Sequence, residues 1–301
     1  MEGDLGKSVL KDVSRSFYLS LRLLPQEMRA GTSVGYLLAR TSDTIADTSG
    51  LPVTLRMEWL ERFSESLLTA EPIHWPVEMM DPLVRSERVL FQRTDDMLRW
   101  LSRLTNAEQD LVKEVVSVII AGQQLDLERF SGASASQPVS LTDAAELEDY
   151  TWRGAGCVGA FWTKLGFLTM GERFSQSPPA ALLEKAIRYG KGLQLVNILR
   201  DLPDDLAAGR CYLPVEDPSD KMQLMESHAH WLEQAARWVG EADGYTQALE
   251  SRRLRMASVL PARIAVETLE RMRGVSWDQL QKRIKVPRRR VYRLLLQSLF
   301  R

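Results

Sequence analysis

The sequence predicts an all-α protein, and three observations support that prediction. Apolar residues recur at three- and four-residue steps over residues 55–70, 110–130 and 227–250, which is the spacing of one helix face. Runs of alternating β-branched residues are almost absent, and no Asn-Gly or Asp-Gly pair separates two strand-like runs. No stretch of the length used by repeat proteins recurs along the chain. We therefore expect one domain of about ten helices that covers residues 1–301.

The composition argues against several classes of protein. The chain has 301 residues, 45% hydrophobic and 26% charged, and a core of that size needs neither disulfides nor a structural metal. Two cysteines and three histidines argue against a disulfide framework and a zinc site. The formal net charge of −1 gives no indication of nucleic-acid binding. The sequence lacks a signal-peptide pattern and any apolar run of roughly 18–20 residues, so we expect a cytoplasmic protein.

The first polar cluster along the chain is Ser-Arg-Ser-Phe at residues 14–17. It combines two hydroxyl groups with the guanidinium group of Arg15, which could bind a phosphate group through two parallel hydrogen bonds. The alternative interpretation is a helix cap followed by a surface arginine.

A polar stripe is expected on the next helix. Tyr36, Arg40, Asp43 and Asp47 follow the spacing i, i+4, i+7 and i+11, which places them on one side of a helix. Two carboxylates four residues apart destabilise a helix by roughly 0.2–0.5 kcal/mol. The presence of such a pair therefore suggests a role other than helix stability. The other positions of this helix are mostly apolar. The helix should therefore be buried, with the stripe facing a partner helix or an internal cavity.

The middle of the chain is divided by clusters of Gly, Pro, Ser and Asp, which predict loops at residues 131–140, 177–180 and 214–220. A helix is expected directly after the first loop, with Thr142 or Asp143 as its N-cap. Small residues then concentrate in the segment RGAGCVGAFW, residues 153–162. They indicate either tight helix packing or the close approach of a long apolar ligand to the backbone.

A second polar stripe repeats the design of the first. Gln194, Asn197, Asp201 and Asp205 follow i, i+3, i+7 and i+11 among apolar residues. Because a proline inside a helix breaks or kinks it, Pro203 predicts that this motif lies at a helix end.

The two aspartate pairs together point to a metal. Buried carboxylates cost several kcal/mol unless they are neutralised. Mg²⁺ takes a few carboxylate oxygens, keeps water molecules and fills its remaining positions from substrate phosphates. Two carboxylate pairs therefore predict Mg²⁺ bound against a diphosphate. The alternative is coincidence, because the spacing D-x-x-x-D is common on surface helices.

The carboxyl-terminal segment KRIKVPRRRVYR, residues 282–293, is strongly basic. Three interpretations remain open: a solvated helix end, a site for an anion, or contact with acidic lipid head groups.

Four segments together resemble the squalene/phytoene synthases, the head-to-head prenyl transferases. They are SRSF, YLLARTSDTIAD, YTWRGAGCVG and GLQLVNILRDLPDDLAAGRCYLP, in the order of the family and over nearly the whole chain. The resemblance implies an all-α isoprenoid-synthase fold, a single-domain helical bundle around a central hydrophobic cavity. It also implies prenyl diphosphate substrates and a requirement for Mg²⁺, with Mn²⁺ as an alternative.

The resemblance further implies roles for individual residues. The metal ligands would be Asp43, Asp47, Asp201 and Asp205. The reacting centre would include Tyr36, Arg40, Tyr150 and Arg153. The residues that bind the substrate and its diphosphate would be Ser14, Arg15, Ser16, Phe17, Gln194, Asn197, Arg200 and Arg210. The chain departs from many squalene synthases at Arg153, where those enzymes carry tyrosine.

The branch of the family is suggested by the tail. MASVLPARIAVETLERMR followed by RIKVPRR resembles squalene synthases, in which a basic element contacts the NADPH phosphate, so the resemblance implies this role for Arg283 and Lys285. The expected product is squalene from two farnesyl diphosphates, released at a membrane surface. The alternatives are phytoene from geranylgeranyl diphosphate, which GRCYLP favours, and dehydrosqualene or hydroxysqualene. A non-catalytic assembly protein is a further alternative, although such relatives usually lose the acidic motifs.

Overall fold

The computed structural model describes residues 5–14, 17–48, 50–287, 289–291 and 293–294, apart from the side chains of residues 17 and 19. Within this part of the chain helices dominate, which confirms the all-α prediction, and ten helices have eight or more residues. They are α1 (Gln26–Asp47), α2 (Val53–Thr69), α3 (Arg85–Gln92), α4 (Thr94–Leu101), α5 (Asn106–Arg129), α6 (Ala144–Thr151), α7 (Cys157–Met170), α8 (Pro179–Ala207), α9 (Lys221–Gln247) and α10 (Arg252–Met272).

The described residues also contain shorter helical segments and two very short strands. The helical segments are Leu5–Val9, Leu10–Ser14, Phe17–Leu23, Val77–Met80, Trp152–Gly156, Gly171–Arg173 and Trp277–Leu280. The strands β1 (Val139–Ser140) and β2 (Arg210–Cys211) pair in parallel, with Val139 opposite Arg210. β1 occupies the end of the segment predicted as a loop over residues 131–140.

The predicted element boundaries hold to within about four residues, except that α9 begins at Lys221, six residues before the predicted segment 227–250. Helix α6 begins after Asp143, whose Oδ1 accepts a hydrogen bond from the Glu146 N–H at 2.9 Å, so Asp143 is the N-cap and Thr142 is not. The loop predicted at 177–180 is shorter than expected, because α8 already begins at Pro179. Proline suits the first turn of a helix, where its missing N–H would have no partner in any case.

The chain divides into two compact units, Met1–Ser131 with Lys164–Gly171 and Gly132–Thr163 with Glu172–Arg301. A single domain over residues 1–301 stays a prediction. In the first unit α1 packs against α2, α4 and α5. Four apolar residues of α1, Val34, Leu37, Leu38 and Ile45, are completely buried. This burial fixes the rotation of α1 and therefore the direction of its polar stripe.

In the second unit α8 packs along α9 and also contacts α10 and the π-helical turn Trp152–Gly156. Two glycines allow α8 to approach the π-helical turn and the start of α7 closely. A Cβ on Gly159 would lie 2.2 Å from the Ala186 carbonyl oxygen, and a Cβ on Gly190 would lie 2.3 Å from that of Ala155. Any larger residue would push the backbones apart. The tight-packing interpretation of residues 153–162 is therefore confirmed, whereas a ligand contact there stays a prediction.

None of the described helices is both long enough and apolar enough to cross a lipid bilayer.

Candidate active site

The first polar stripe lies on α1, as predicted. Tyr36, Arg40 and Asp43 are partly buried, and Asp47 is exposed at the last position of the helix. The stripe therefore runs from the interior of the first unit to its surface.

The surroundings of Asp43 strongly perturb its carboxylate. Burial, followed by the nearby charge of Asp47, raises the pKa of Asp43 to about 6 against the opposing effects of Arg40 and Gln123. The Gln123 amide, on α5, donates a hydrogen bond from Nε2 to Asp43 Oδ1 at 2.5 Å. A partly buried carboxylate with a second carboxylate one turn away is a position where a divalent cation relieves an unfavourable charge.

Arg40 and Tyr36 extend the stripe towards the amino-terminal end of α1. Arg40 Nη2 lies 3.3 Å from Glu87 Oε1, while Arg40 Nε is buried with no hydrogen-bond partner among the described residues. A buried donor of this kind is costly to leave unpaired, and an anion placed beside it would pair it. The Tyr36 hydroxyl donates to the Val13 carbonyl oxygen at 3.3 Å.

The amino-terminal candidates are only partly described. Ser14 is buried at the end of the segment Leu10–Ser14, and its hydroxyl donates to the Leu10 carbonyl oxygen. Arg15 and Ser16 lie outside the described residues. Phe17 begins the helix Phe17–Leu23, but its side chain lies outside the described part of the chain. The substrate-binding roles of these four residues stay predictions.

The second polar stripe lies on α8, in the second unit. The helix continues through Pro203 and ends at Ala207, so Asp201 and Asp205 occupy its final turns, as the proline predicted. Gln194 is half-buried and contacts the glycine-rich turn, because a Cβ on Gly154 would lie 2.9 Å from the Gln194 Cδ. Asn197 is exposed.

Each aspartate of the second motif has its own arginine. Arg200 donates two parallel hydrogen bonds to the Asp201 carboxylate. One runs from Arg200 Nε to Asp201 Oδ1 at 2.8 Å, and the other from Arg200 Nη2 to Asp201 Oδ2 at 2.5 Å. This contact raises the pKa of Arg200 above its ordinary value. Arg210 Nη2 lies 3.2 Å from Asp205 Oδ1. Both guanidinium groups are therefore held beside the carboxylates, where a diphosphate could bind them.

Local backbone structure places Arg210. Gly209 follows the end of α8 with φ +84°, a conformation that favours glycine, and a Cβ there would lie 2.4 Å from the Ser134 nitrogen. The chain then enters β2, where Val139 N–H donates to the Gly209 carbonyl oxygen at 2.9 Å. The loop over residues 131–140 therefore fixes the strand that carries Arg210.

Part of the basic tail reaches the same motif. Arg283 Nε lies 3.0 Å from Oδ2 of Asp204, the neighbour of Asp205, and both side chains of this pair are at least half exposed. Lys285 is exposed, and its carbonyl oxygen accepts a hydrogen bond from Arg271 Nη1 at 3.5 Å.

The predicted reacting-centre residues of the second unit sit around the π-helical turn. Arg153 Nε donates to Asp149 Oδ2 at 2.7 Å. The rings of Tyr150 and Tyr212 stack with centroids 4.5 Å apart. π-helical turns inside helices occur frequently at functional sites.

Three site features were missed from the sequence: the amide of Gln123, the Glu87 partner of Arg40 and the Asp149 partner of Arg153. A weak signal existed for Gln123, because the pair Gln123–Gln124 interrupts an otherwise apolar stretch of α5. Among the described residues no group of three or more His, Cys, Asp or Glu side chains converges as a metal site. Mg²⁺ is commonly held by one or two carboxylates plus phosphate oxygens, so the aspartate pairs do not require such a group.

Comparison with known proteins defines the class. A family model for squalene/phytoene synthase matches residues 10–290. The 15-cis-phytoene synthase of Synechocystis sp. is 28% identical over 71% of this chain and 56% of its own length. The presqualene diphosphate synthase of Zymomonas mobilis is 28% identical over 71% of this chain and 60% of its own length. The squalene synthase ERG9 of Saccharomyces cerevisiae is 29% identical over 69% of this chain and 44% of its own length. The chain thus spans about half the length of these relatives.

Solved structures show the same fold. TcSQS in complex with the ligand E5700 matches with a TM-score of 0.82 and 25% identity, over 99% of this chain and 86% of that one. A dehydrosqualene synthase in complex with a ligand matches with a TM-score of 0.68 and 24% identity, over 99% and 96% of the two chains, which shows the fold alone.

These structures define the class as the helical isoprenoid synthases, which confirms the predicted fold. Because the family model covers nearly the whole chain, this protein belongs to the squalene/phytoene synthase family of prenyltransferases. The resemblance found in the sequence is therefore confirmed.

Proposed function

We propose that this protein condenses two farnesyl diphosphates head to head, through presqualene diphosphate, to squalene. One observation carries the proposal: α1 in the first unit and α8 in the second each present two aspartates four residues apart, accompanied by arginines. Carboxylates that bind metal and guanidinium groups that bind phosphate are the components that ionisation of a prenyl diphosphate requires. Family membership supports the same chemistry.

The residues present fit Mg²⁺. Their donors are hard carboxylate oxygens, and the raised pKa of Asp43 reflects a charge that a cation would stabilise. Asp43 and Asp47 would hold metal in the first unit, and Asp201 and Asp205 in the second, with Mn²⁺ accepting the same donors. When bound, the metal neutralises the diphosphate oxygens and favours departure of the diphosphate.

The arginines of this chain bind and orient the departing group. Arg40, Arg200 and Arg210 would donate hydrogen bonds to diphosphate oxygens and stabilise the negative charge that develops as the C–O bond breaks. The acceptor double bond attacks the allylic cation that remains, and loss of one proton closes the cyclopropane ring. The family resemblance assigns Tyr36, Tyr150 and Arg153 to the reacting centre.

The last step would use NADPH. When bound, NADPH would supply the hydride that converts the final cation, formed after the diphosphate departs and the ring rearranges, to squalene. Arg283 and Lys285 are exposed cations that fit a cofactor phosphate, and Arg283 lies at Asp204 of the second motif. Without hydride, loss of a proton gives dehydrosqualene and capture of water gives hydroxysqualene.

The test is product analysis. The purified protein is incubated with Mg²⁺ and farnesyl diphosphate, with and without NADPH, and hexane extracts are analysed by mass spectrometry. We expect squalene only in the tube that contains NADPH. Absence of any C30 product from both tubes would contradict the proposal.

A second candidate is phytoene synthesis from geranylgeranyl diphosphate. The 28% identity to the Synechocystis phytoene synthase equals that to the presqualene diphosphate synthase, so identity alone favours neither. The same assay with the C20 substrate separates the two, since a preference for the C15 substrate excludes phytoene synthesis. The intact aspartate pairs argue against a non-catalytic assembly role.

We also propose a peripheral contact with acidic membrane surfaces, where an insoluble hydrocarbon product would be released. A cleft of about 410 Å³ in the second unit is lined by Glu267, Arg271, Pro287, Arg289, Arg290 and Arg293. Glu267 pairs with Arg271 at 2.9 Å and with Arg290 at 3.0 Å, and these contacts lower the pKa of Glu267. The remaining arginines of the cleft have no carboxylate partner among the described residues, which leaves a positive surface for lipid phosphates.

Sedimentation with vesicles tests this contact. We expect binding to phosphatidylglycerol vesicles, none to phosphatidylcholine vesicles, and loss of binding in Arg289→Glu/Arg293→Glu. The control Arg237→Glu/Arg253→Glu changes the net charge equally on exposed positions outside the cleft. Equal loss in both double variants would show that overall charge, and not this cleft, attracts the lipid.

A further inference from the structure

Pro203 creates a defect inside the second aspartate motif. In a regular helix the N–H of residue 203 would donate to the carbonyl oxygen of Leu199, but proline has no N–H. Leu199 is completely buried, so water does not readily replace the missing donor. Helix α8 nevertheless continues to Ala207. The Leu199 carbonyl oxygen therefore lacks the donor that a regular helix would supply.

The imidazole of His228 supplies a donor to this oxygen. His228 lies on α9, is 2% exposed and donates a hydrogen bond to the Leu199 carbonyl oxygen. Its Nε2 is buried without a partner among the described residues, so the donor is Nδ1–H. Burial lowers the pKa of His228, which keeps the ring neutral with its proton on Nδ1.

We infer that His228 is a positioning residue that supplies, from α9, the hydrogen-bond donor that Pro203 removes from α8. The bond keeps α8 helical across the proline, so that Asp201 and Asp205 stay one turn apart on the same face. The consequence for metal binding rests on the proposed function, whereas the contribution to helix geometry does not.

The experiment is a double-mutant cycle with Pro203→Ala and His228→Leu. Alanine restores the N–H to position 203, so the helix no longer needs the imidazole. We expect His228→Leu to raise the apparent KM for Mg²⁺ about tenfold and to lower Tm by several degrees. Adding Pro203→Ala should return the apparent KM for Mg²⁺ to within about threefold of the wild-type value and recover most of the loss in Tm.

A second readout avoids turnover altogether. Mn²⁺ binding to the four proteins, followed by electron paramagnetic resonance without substrate, should show the same loss in His228→Leu and the same recovery in the double variant. If His228→Leu does not fold, folding of the double variant is the recovery, and failure of both contradicts the inference.

The matched control is Thr246→Val, which removes another buried donor from α9. The Thr246 hydroxyl donates to the Asp243 carbonyl oxygen at 3.2 Å, away from Pro203. This variant should lower Tm without changing the KM for Mg²⁺, and Pro203→Ala should not rescue it. Additive effects of Pro203→Ala and His228→Leu on Tm and on Mn²⁺ binding would overturn the inference. A wild-type protein that makes no prenyl product would instead contradict only the proposed function.

Discussion

The two aspartate motifs have the same spacing but different surroundings. On α1, Asp43 accepts a hydrogen bond from the neutral amide of Gln123, while Arg40 of the same stripe pairs with Glu87. On α8, Asp201 is held by Arg200, and Asp205 pairs with Arg210. The pKa of Asp43 is correspondingly raised to about 6. Burial therefore disfavours the charge of Asp43 in the first motif, whereas both aspartates of the second motif are paired with arginines.

The largest effect should come from removing one carboxylate from either motif. Asp43→Asn and Asp201→Asn are each expected to lower kcat with farnesyl diphosphate about 1000-fold, because each removes a metal-binding oxygen. Steady-state assays with Mg²⁺ measure this loss. Near wild-type activity in either variant would remove that residue from the metal assignment.

In the metal-free protein, the two substitutions should change the free energy of unfolding in opposite directions. Because the folded-state pKa of Asp43 is raised from 3.8 to about 6, the fold favours its protonated form. That contribution to the unfolding free energy is fully present below pH 4 and is lost as the pH rises through about 6. At pH 8, Asp43→Asn should therefore stabilise the protein by about 2 kcal/mol.

Asp201→Asn should instead destabilise slightly, by less than about 1 kcal/mol, because its carboxylate and Arg200 form a partly exposed pair. Urea denaturation in the presence of a chelator, at pH 4 and pH 8, measures both variants. A stabilisation by Asp43→Asn that is equal at the two pH values would show that charge is not its cause.

Replacing the amide that holds Asp43 should have a smaller effect on catalysis than removing the carboxylate itself. Gln123→Leu is expected to raise the apparent KM for Mg²⁺ about tenfold with a smaller change in kcat, since the carboxylate loses its orientation. The neighbouring Gln124→Leu serves as the control because it makes the same chemical change on the same helix. Equal effects of the two variants would assign them to the packing of α5.

The smallest effect on stability is expected at the exposed edge of the second motif. Arg283→Ala should leave the unfolding free energy unchanged within about 0.5 kcal/mol, because its pair with Asp204 is largely exposed. It should raise the KM for NADPH and leave the NADPH-independent condensation step unchanged. An unaltered KM for NADPH would remove Arg283 from the cofactor site.

Local patterns account for most of what the sequence predicted correctly. Three- and four-residue apolar spacing located α2, α5 and α9, and the short polar side chain of Asp143 marked the start of α6. These features depend on neighbours within one helical turn, which a sequence displays directly. The loop predicted at 177–180 extends two residues too far for a related reason, since Pro179 can both end a loop and begin a helix.

By itself, the sequence determined the helices, the two polar stripes and the family, because each is written in residues a few positions apart. Only the tertiary structure decided which side chains from other helices contact the residues of the two stripes. Gln123 reaches Asp43 from α5, and His228 reaches the Leu199 carbonyl from α9. Such contacts depend on how helices far apart in the chain rotate and pack, and no local spacing encodes that rotation.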